Sequence, residues 1–124
     1  MAPISVRFLV PMTHVKSVPA SIGFYRLLSF SVENTFAPPD AAKPTWANLR
    51  SDQAQFMVSK AEEPIVPGQQ AVLFYSYCDD VTGLREHLIA NGISAGPIRY
   101  PFYAPRGEFR IEDPDGYVIM ITHT

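Results

Sequence analysis

The sequence predicts an α+β fold made of two tandem βαβββ modules. Short runs of β-branched and aromatic residues indicate strands, and two amphipathic segments follow helix-capping residues. The order of elements in the first half then recurs in the second. Superposing the helix starts Ser17–Val18 and Asp80–Val81 gives an ungapped offset of 63 residues (80 − 17), at which Met57 meets Met120. A fixed offset of this kind indicates a duplicated unit.

The composition is that of one globular domain. The 124 residues suffice to bury a core without disulfides, and 47% apolar against 18% charged residues excludes a disordered chain. A net charge of −2 without a basic cluster argues against a nucleic-acid partner. The single cysteine, Cys78, predicts a buried small side chain in a reducing compartment. The N-terminus lacks a signal-peptide pattern and no apolar run could span a membrane, which predicts a cytoplasmic protein without a membrane partner.

The first module begins with a strand and a helix. The strand is predicted over Val6–Met12 and on to about His14, with Pro11 indicating an edge position or a bulge because proline cannot donate to the ladder. Ser17 is the predicted N-cap of a helix that reaches Leu28. Three more strands are predicted at Phe30–Thr35, Thr45–Arg50 and Ala54–Ser59.

The second module repeats this order after a linker with two prolines and a glycine. A strand over Ala71–Cys78 leads to a helix with Asp80 as its N-cap and Gly92 as its stop. Short strand segments are predicted at Ile93–Ser94 and Ile98–Tyr103, between prolines. The predicted boundaries are about 4–60 for the first module, 61–70 for the linker and about 71–124 for the second module.

The last hairpin is the most clearly marked element. The sequence DPDG at Asp113–Gly116 separates two apolar runs, a hairpin signal. Asp113 can bond back to the turn backbone, and Gly116 can adopt a positive φ. Alternation along the following strand, Tyr117–Ile121, places Met120 on the face opposite Tyr117.

Two segments in this architecture resemble the vicinal oxygen chelate superfamily, which includes glyoxalase I, extradiol dioxygenases, fosfomycin-resistance enzymes and bleomycin-resistance proteins. They are SIGFYRLLSF at Ser21–Phe30 and DPDGY at Asp113–Tyr117. The resemblance covers nearly the whole chain and implies curved mixed sheets with a concave cleft. Ser29 stands where the family usually has the glycine that ends the helix, at a cost of roughly 1 kcal/mol or less.

The enzymatic members of this superfamily hold a divalent metal through His, Gln or Glu side chains on the concave face. The resemblance carries those positions onto Val10, Met57, Leu73 and Met120. Hard divalent ions need oxygen or nitrogen ligands, and a thioether suits Cu(I) at best. The resemblance therefore implies no metal and no other cofactor. It is closest to the metal-free bleomycin-resistance branch, where two protomers form clefts lined by aromatic residues.

The expected ligand contacts lie on the concave face and in one aromatic loop. Even spacing puts His14 on the same face as Met12, where it is either a polar anchor or an exposed histidine at the strand end. Trp46 could stack on a planar ligand, pack in the core or lie at a dimer interface. The aromatic loop could close over the cleft or pack beneath the hairpin, and the methionines could line the cleft or the core. The predicted contacts are Met12, His14, Trp46, Met57, Tyr100, Phe102, Tyr103, Arg106 and Met120.

These residues suggest three hypotheses. The first is a homodimeric, metal-free protein that sequesters an apolar or aromatic small molecule, as in antibiotic resistance. The second is a lyase, isomerase or dioxygenase of the same superfamily with a shifted metal site or none, using His14 and Glu108 as acid–base groups. The third is an interaction module without a ligand. On the last hairpin, Glu108 and Arg110 share one face, which predicts a cross-strand salt bridge. Catalytic residues, the ligand, and the pairing of modules within or between protomers stay open.

Overall fold

The computed structural model describes residues 4–124, and the prediction about a signal peptide rests in part on residues 1–3, which lie outside that range. Within that range the chain forms two helices and seven strands, which confirms the α+β class. None of these helices is long and apolar enough to cross a bilayer. The strands are β1 (Met12–Val15), β2 (Ser31–Phe36), β3 (Trp46–Ser51), β4 (Ala54–Lys60), β5 (Leu73–Cys78), β6 (Glu108–Glu112) and β7 (Val118–His123). The helices are α1 (Val18–Arg26) and α2 (Val81–Ala90), with a single 3-10 turn at Pro67–Gln69.

The strands form two open, mixed sheets. The first sheet has the order β1-β4-β3-β2 and the second the order β5-β7-β6. In each sheet the strand before the helix pairs in parallel with the last strand of the module, and the other neighbours are antiparallel. The first strand of each module is therefore an edge strand, as the proline in β1's predicted range indicated.

The helix N-termini confirm the predicted repeat. Ser17 Oγ accepts a hydrogen bond from the Ala20 amide at 3.2 Å, and Asp80 Oδ1 accepts one from the Gly83 amide at 2.9 Å. Donors and acceptors are each separated by 63 residues (83 − 20 and 80 − 17). These caps satisfy amides that have no partner within the helix.

The helix C-termini repeat at the same offset. The Phe30 amide donates to the Tyr25 carbonyl at 3.1 Å, and the Ile93 amide donates to the Leu88 carbonyl at 3.0 Å. These hydrogen bonds turn the chain back at the helix end, which needs a residue in the left-handed conformation just past the helix. Gly92 supplies it with φ +83° in the second module, whereas Ser29 is held at φ +68° in the first.

The offset changes by one residue at the hairpins, so Trp46 does not match Phe109, the residue that the offset of 63 predicts (46 + 63 = 109). β3 and β4 are joined by a two-residue turn, because Ser51 pairs with Ala54. The turn between β6 and β7 has three residues, since the Asp113 amide donates to the Tyr117 carbonyl. β3 therefore matches β6 at an offset of 62. The residue equivalent to Trp46 is Glu108 (108 − 46 = 62), which begins β6.

The first strand begins six residues later than the prediction of Val6–Met12. Pro11 accepts a bond from the Met57 amide at 2.9 Å, and the next bond of a parallel ladder would come from the amide hydrogen of Pro11, which proline lacks. β1 therefore starts at Met12, and the preceding arm, residues 4–10, lies outside both sheets. Its apolar side chains Ile4, Val6, Phe8 and Leu9 are 78–99% exposed.

The predicted strand segments at Ile93–Ser94 and Ile98–Tyr103 are wrong. Between α2 and β6 the chain makes a single isolated bridge, in which Arg99 pairs with Glu108 through bonds of 2.8 and 2.9 Å. Prolines on both sides of Arg99 remove the donors that a longer ladder would need.

One face of each sheet packs into a core that both helices share. The buried cluster draws on both modules and contains Val15, Val18, Phe24, Tyr25, Ala47, Leu49, Phe56, Val58, Val81, Leu88, Phe109, Ile111, Ile119 and Ile121. Tyr25 contacts Phe24, Phe30 and Phe56 edge to face, with ring centroids 4.5–5.8 Å apart. Cys78 lies half-buried at the edge of this core, where burial raises the pKa of its thiol.

Candidate functional site

Each sheet turns its second face away from the core, and these two outer faces carry most of the predicted ligand contacts. Alternation with the buried residues defines them. The first outer face consists of Met12, His14, Trp46, Asn48, Arg50, Gln55, Met57 and Ser59. The second outer face consists of Leu73, Tyr75, Tyr77, Glu108, Arg110, Glu112, Val118, Met120 and Thr122.

The first outer face brings four predicted contacts together. His14 and Trp46 are both strand partners of Ser59, and Met12 is the partner of Met57 in the next row. The His14 and Met12 side chains are exposed, so the histidine is free to act as the polar anchor of this surface. Trp46 is half-buried and lies outside the core, which leaves its ring available for stacking.

A closed ring of polar side chains borders this apolar surface, and sequence reasoning missed it. Arg50 Nε donates to Glu33 Oε1 at 2.7 Å, and its Nη2 donates to Gln55 Oε1 at 2.6 Å. Gln55 Nε2 donates to Asn48 Oδ1 at 3.1 Å, and Asn48 Nδ2 closes the ring on Glu33 Oε2 at 3.3 Å. Mutual bonding holds these side chains in place beside Met57. Asn48 and Arg50 are evenly spaced from Trp46, and Gln55 is evenly spaced from Met57, so strand alternation could have placed these three on this face.

The second outer face is rich in tyrosine. Tyr75 and Arg110 flank Met120 on neighbouring strands, and Tyr77 and Glu108 flank Thr122 in the next row. Alternation therefore places Met120 on the outer face, as the hairpin pattern predicted. Its repeat-mate Met57 lies at the matching place on the first outer face.

Tyr103 connects the aromatic loop to this second face. Its hydroxyl donates to Glu108 Oε1 at 3.0 Å, and that bond is the main reason that the pKa of the phenol is raised. The Phe102 ring meets the Tyr103 ring edge to face at 5.4 Å. Phe102, Tyr100 and Arg106 are all exposed, so these side chains do not pack beneath the hairpin.

The cross-strand salt bridge predicted for Glu108 and Arg110 is wrong, because neither residue pairs with a charged side chain of another strand among the described residues. Arg110 Nη2 lies 3.2 Å from Glu112 Oε1 instead, two residues further along the same strand. Glu108 is buried on the outer face under Tyr103, whereas Glu112 is exposed and accessible to the flexible arginine.

The residues at the superfamily's metal positions do not fit a hard divalent ion. Met57, Leu73 and Met120 lie on the outer faces with thioether or hydrocarbon side chains, and Val10 precedes β1. Among residues 4–124, no cluster of three or more His, Cys, Asp or Glu side chains is arranged to hold a metal.

Within one chain the structure does not bring all nine predicted contacts together. Met12, His14, Trp46 and Met57 share the first outer face, while Met120 and Tyr103 meet at the second. Each surface is open, with a shared core between the sheets that bear them. Within one chain, the predicted contacts are thus divided between two separate, open surfaces.

The chain belongs to the glyoxalase/bleomycin resistance protein/dioxygenase superfamily, whose family model matches residues 9–121. This confirms the resemblance seen in the helix and hairpin motifs. No curated protein sequence matches the chain.

Solved structures with the same fold include several that carry antibiotic-binding descriptions. A bleomycin resistance determinant encoded on transposon Tn5 has a TM-score of 0.75 at 13% identity, covering 96% of this chain and 98% of that one. The bleomycin-binding protein of Streptomyces verticillus, complexed with copper(II)-bleomycin, has a TM-score of 0.67 at 21% identity, covering 97% and 99%. TnmS3, an antibiotic-binding protein from a Streptomyces species, has a TM-score of 0.72 at 15% identity, covering 98% of both chains.

Proposed function

We propose that the protein is a homodimer that binds and sequesters an apolar or aromatic small molecule without a metal. The ligand would lie between the first outer face of one protomer and the second outer face of its partner. The observation that carries this proposal is the division of the predicted contacts between two open surfaces of one chain. Apolar walls with a few convergent polar groups are the usual composition of a small-molecule site.

The exposed arm supports the dimer. Ile4, Val6 and Phe8 have the alternating apolar pattern of a strand and Leu9 follows them, yet more than three quarters of each side chain is exposed. Exposed strands with apolar side chains are ready templates for pairing with another chain. A second protomer that covers these residues would remove this apolar area from water.

The similar structures support the ligand class. Two are described with bleomycin and one as antibiotic-binding. Their identities of 13–21% make the fold the shared property, so bleomycin serves here as a first probe. The absence of suitable metal ligands at Met57, Leu73 and Met120 favours sequestration over the metal-dependent chemistry of the superfamily.

The test uses Trp46, the only tryptophan in the sequence, as a reporter. Titration with bleomycin and an antibiotic panel should quench its fluorescence saturably and raise the melting temperature for at least one compound. Trp46→Leu removes the reporter, so its binding is followed by the melting temperature and should be at least tenfold weaker. Ile89→Leu on the outside of α2 should leave binding unchanged. Failure of every compound to bind would overturn the proposal and favour the ligand-free interaction module.

Metal analysis separates the binding protein from the enzyme alternative. Stoichiometric Mn, Fe, Ni or Zn in protein purified from cells would contradict metal-free sequestration. In the alternative, His14 and Glu108 act as acid and base, and a dimer would be needed because they lie on different outer faces of one chain. The cytoplasmic location stays a prediction.

A further inference from the structure

Glu108 is a buried carboxylate with only one of its oxygens hydrogen-bonded. The residue is 5% exposed, and its Oε1 accepts the 3.0 Å bond from the Tyr103 hydroxyl. Its Oε2 is buried and has no hydrogen-bond partner among the described residues. Such a group is costly because burial removes water from a charged oxygen without a replacement. An unsatisfied buried charge therefore points to a missing partner.

The chain's nearby cations do not pair with this carboxylate. Arg110 is engaged with Glu112 at 3.2 Å, and Arg99, the backbone partner of Glu108, has an exposed side chain. In the part of the chain that the structure describes, the Lys and Arg ion pairs are those of Arg50 with Glu33 and of Arg110 with Glu112. We therefore look for the counter-ion of Glu108 in another molecule.

Tyrosine rings surround the approach to Glu108. Tyr77, Thr122 and Glu108 form one row across the second outer face, and Tyr75 lies in the adjoining row. The rings of Tyr75, Tyr77 and Tyr103 are 43–63% exposed. Tyrosine faces attract ammonium groups, and a carboxylate among them adds a charge-assisted hydrogen bond.

We propose that Glu108 and the tyrosines around it recognise a protonated amino group on an aromatic ligand. The ammonium donates to Oε2, which becomes accessible when the Tyr103 side chain moves off the carboxylate. Tyr103 lies outside the strands, so its side chain can turn aside to admit the ligand without breaking a sheet hydrogen bond. This inference rests on the proposed small-molecule function and adds a chemical class to it.

The repeat supports this position for a specificity group. Glu108 is the counterpart of Trp46, so the two residues occupy equivalent places on the two outer faces. In the proposed cleft, a ring system stacking on Trp46 would have its amine directed toward the carboxylate of the opposite wall. One wall then selects aromatic area and the other selects positive charge.

The test compares two probes that differ only in charge, naphthylethylamine and naphthaleneethanol, by isothermal titration calorimetry at pH 7. The wild-type protein should bind the amine at least about tenfold more tightly, as a charge-assisted hydrogen bond allows. Glu108→Gln keeps the acceptor for Tyr103 and should reduce the preference to about twofold or less. Glu86→Gln, at an exposed position of α2 that belongs to neither outer face, should retain the full preference.

Equal binding of the two probes, or a preference that survives in Glu108→Gln, would overturn the assignment. So would strong coupling between Arg99→Ala and Glu108→Gln in a double-mutant cycle of unfolding, because Arg99 would then be the missing counter-ion. Saturable bleomycin binding without any preference for the amine would refute this inference alone. Failure of both probes and the whole antibiotic panel would overturn the proposed function as well.

Discussion

The Tyr25 hydroxyl donates a 2.7 Å hydrogen bond to Asp113 Oδ2, and both residues are buried. Tyr25 belongs to α1 of the first module, and Asp113 opens the closing hairpin of the second. The other carboxylate oxygen, Oδ1, accepts from the Asp115 and Tyr117 amides at 2.9 and 3.0 Å. Asp113 thus shapes its own turn with one oxygen and fastens the two modules together with the other.

Replacement of Tyr25 by phenylalanine should destabilise the protein. The change leaves Asp113 Oδ2 buried without its donor, which costs about 1–3 kcal/mol of unfolding free energy, measurable by urea denaturation. Tyr117→Phe is the matched control, because its hydroxyl also links the modules, donating to the His14 carbonyl at 3.0 Å in an exposed setting. A loss in the control as large as in Tyr25→Phe would contradict the role of burial.

Asp113 should make stability depend on pH. Burial raises the pKa of its carboxyl above 3.8, outweighing the hydrogen bonds from Tyr25, Tyr117 and Asp115 that lower it. The folded state therefore binds the proton of Asp113 more tightly than the unfolded state does, which stabilises the fold at low pH. This stabilisation is lost as pH rises from about 3.8 through the folded pKa. Relative to Asp113→Asn, wild-type stability should fall over that interval. Parallel stability curves for the two proteins would refute the shift.

Replacement of Ser29 by glycine should stabilise the first module. Ser29 is held at φ +68°, a left-handed conformation that glycine adopts without steric cost. We expect a gain of roughly 0.5–1 kcal/mol in unfolding free energy. Gly92→Ser, at the equivalent helix end with φ +83°, should give a loss of similar size. No gain in stability for Ser29→Gly, or no loss for Gly92→Ser, would show that the helix ends are not equivalent.

The arm should be needed for dimerisation. Phe8→Ser with Leu9→Ser removes exposed apolar area from the arm and should shift the protein toward the monomer in sedimentation velocity experiments, because burial of such area drives association. Ile89→Ser, on α2 and 47% exposed, removes apolar area elsewhere and should leave the dimer intact. A stable dimer in the arm variant would disconnect the arm from assembly.

The helix caps and the last hairpin could be predicted because their contacts are local in sequence. Ser17 and Asp80 bond amides three residues away, and Asp113 bonds amides two and four residues away. The residue types required at these places follow from backbone geometry alone. The cap contacts also repeat at the offset of 63, and the residue types that they require made the duplication visible in the sequence.

The strand predictions that were wrong concern segments whose hydrogen bonding depends on a distant partner strand. The run Val6–Met12 has strand character, but Pro11 lacks the hydrogen that would continue the ladder on β4. Between α2 and β6, prolines leave only the bridge at Arg99. Strand propensity describes a residue's fit to a sheet, whereas a strand requires a partner with the complementary donors and acceptors.

The sequence by itself determined the superfamily fold and the two modules, because motif spacing and strand alternation are properties of the chain alone. It also places methionine at positions 57 and 120, where the resemblance puts metal ligands. Tertiary structure decided how polar groups are grouped. The ring through Glu33, Arg50 and Gln55 joins residues 5 to 17 positions apart, and Tyr103 holds Glu108 while Arg110 turns to Glu112. These pairings depend on which long side chains share a face and which are buried there. The packing of the folded chain thus determines which of several possible polar partners a side chain contacts.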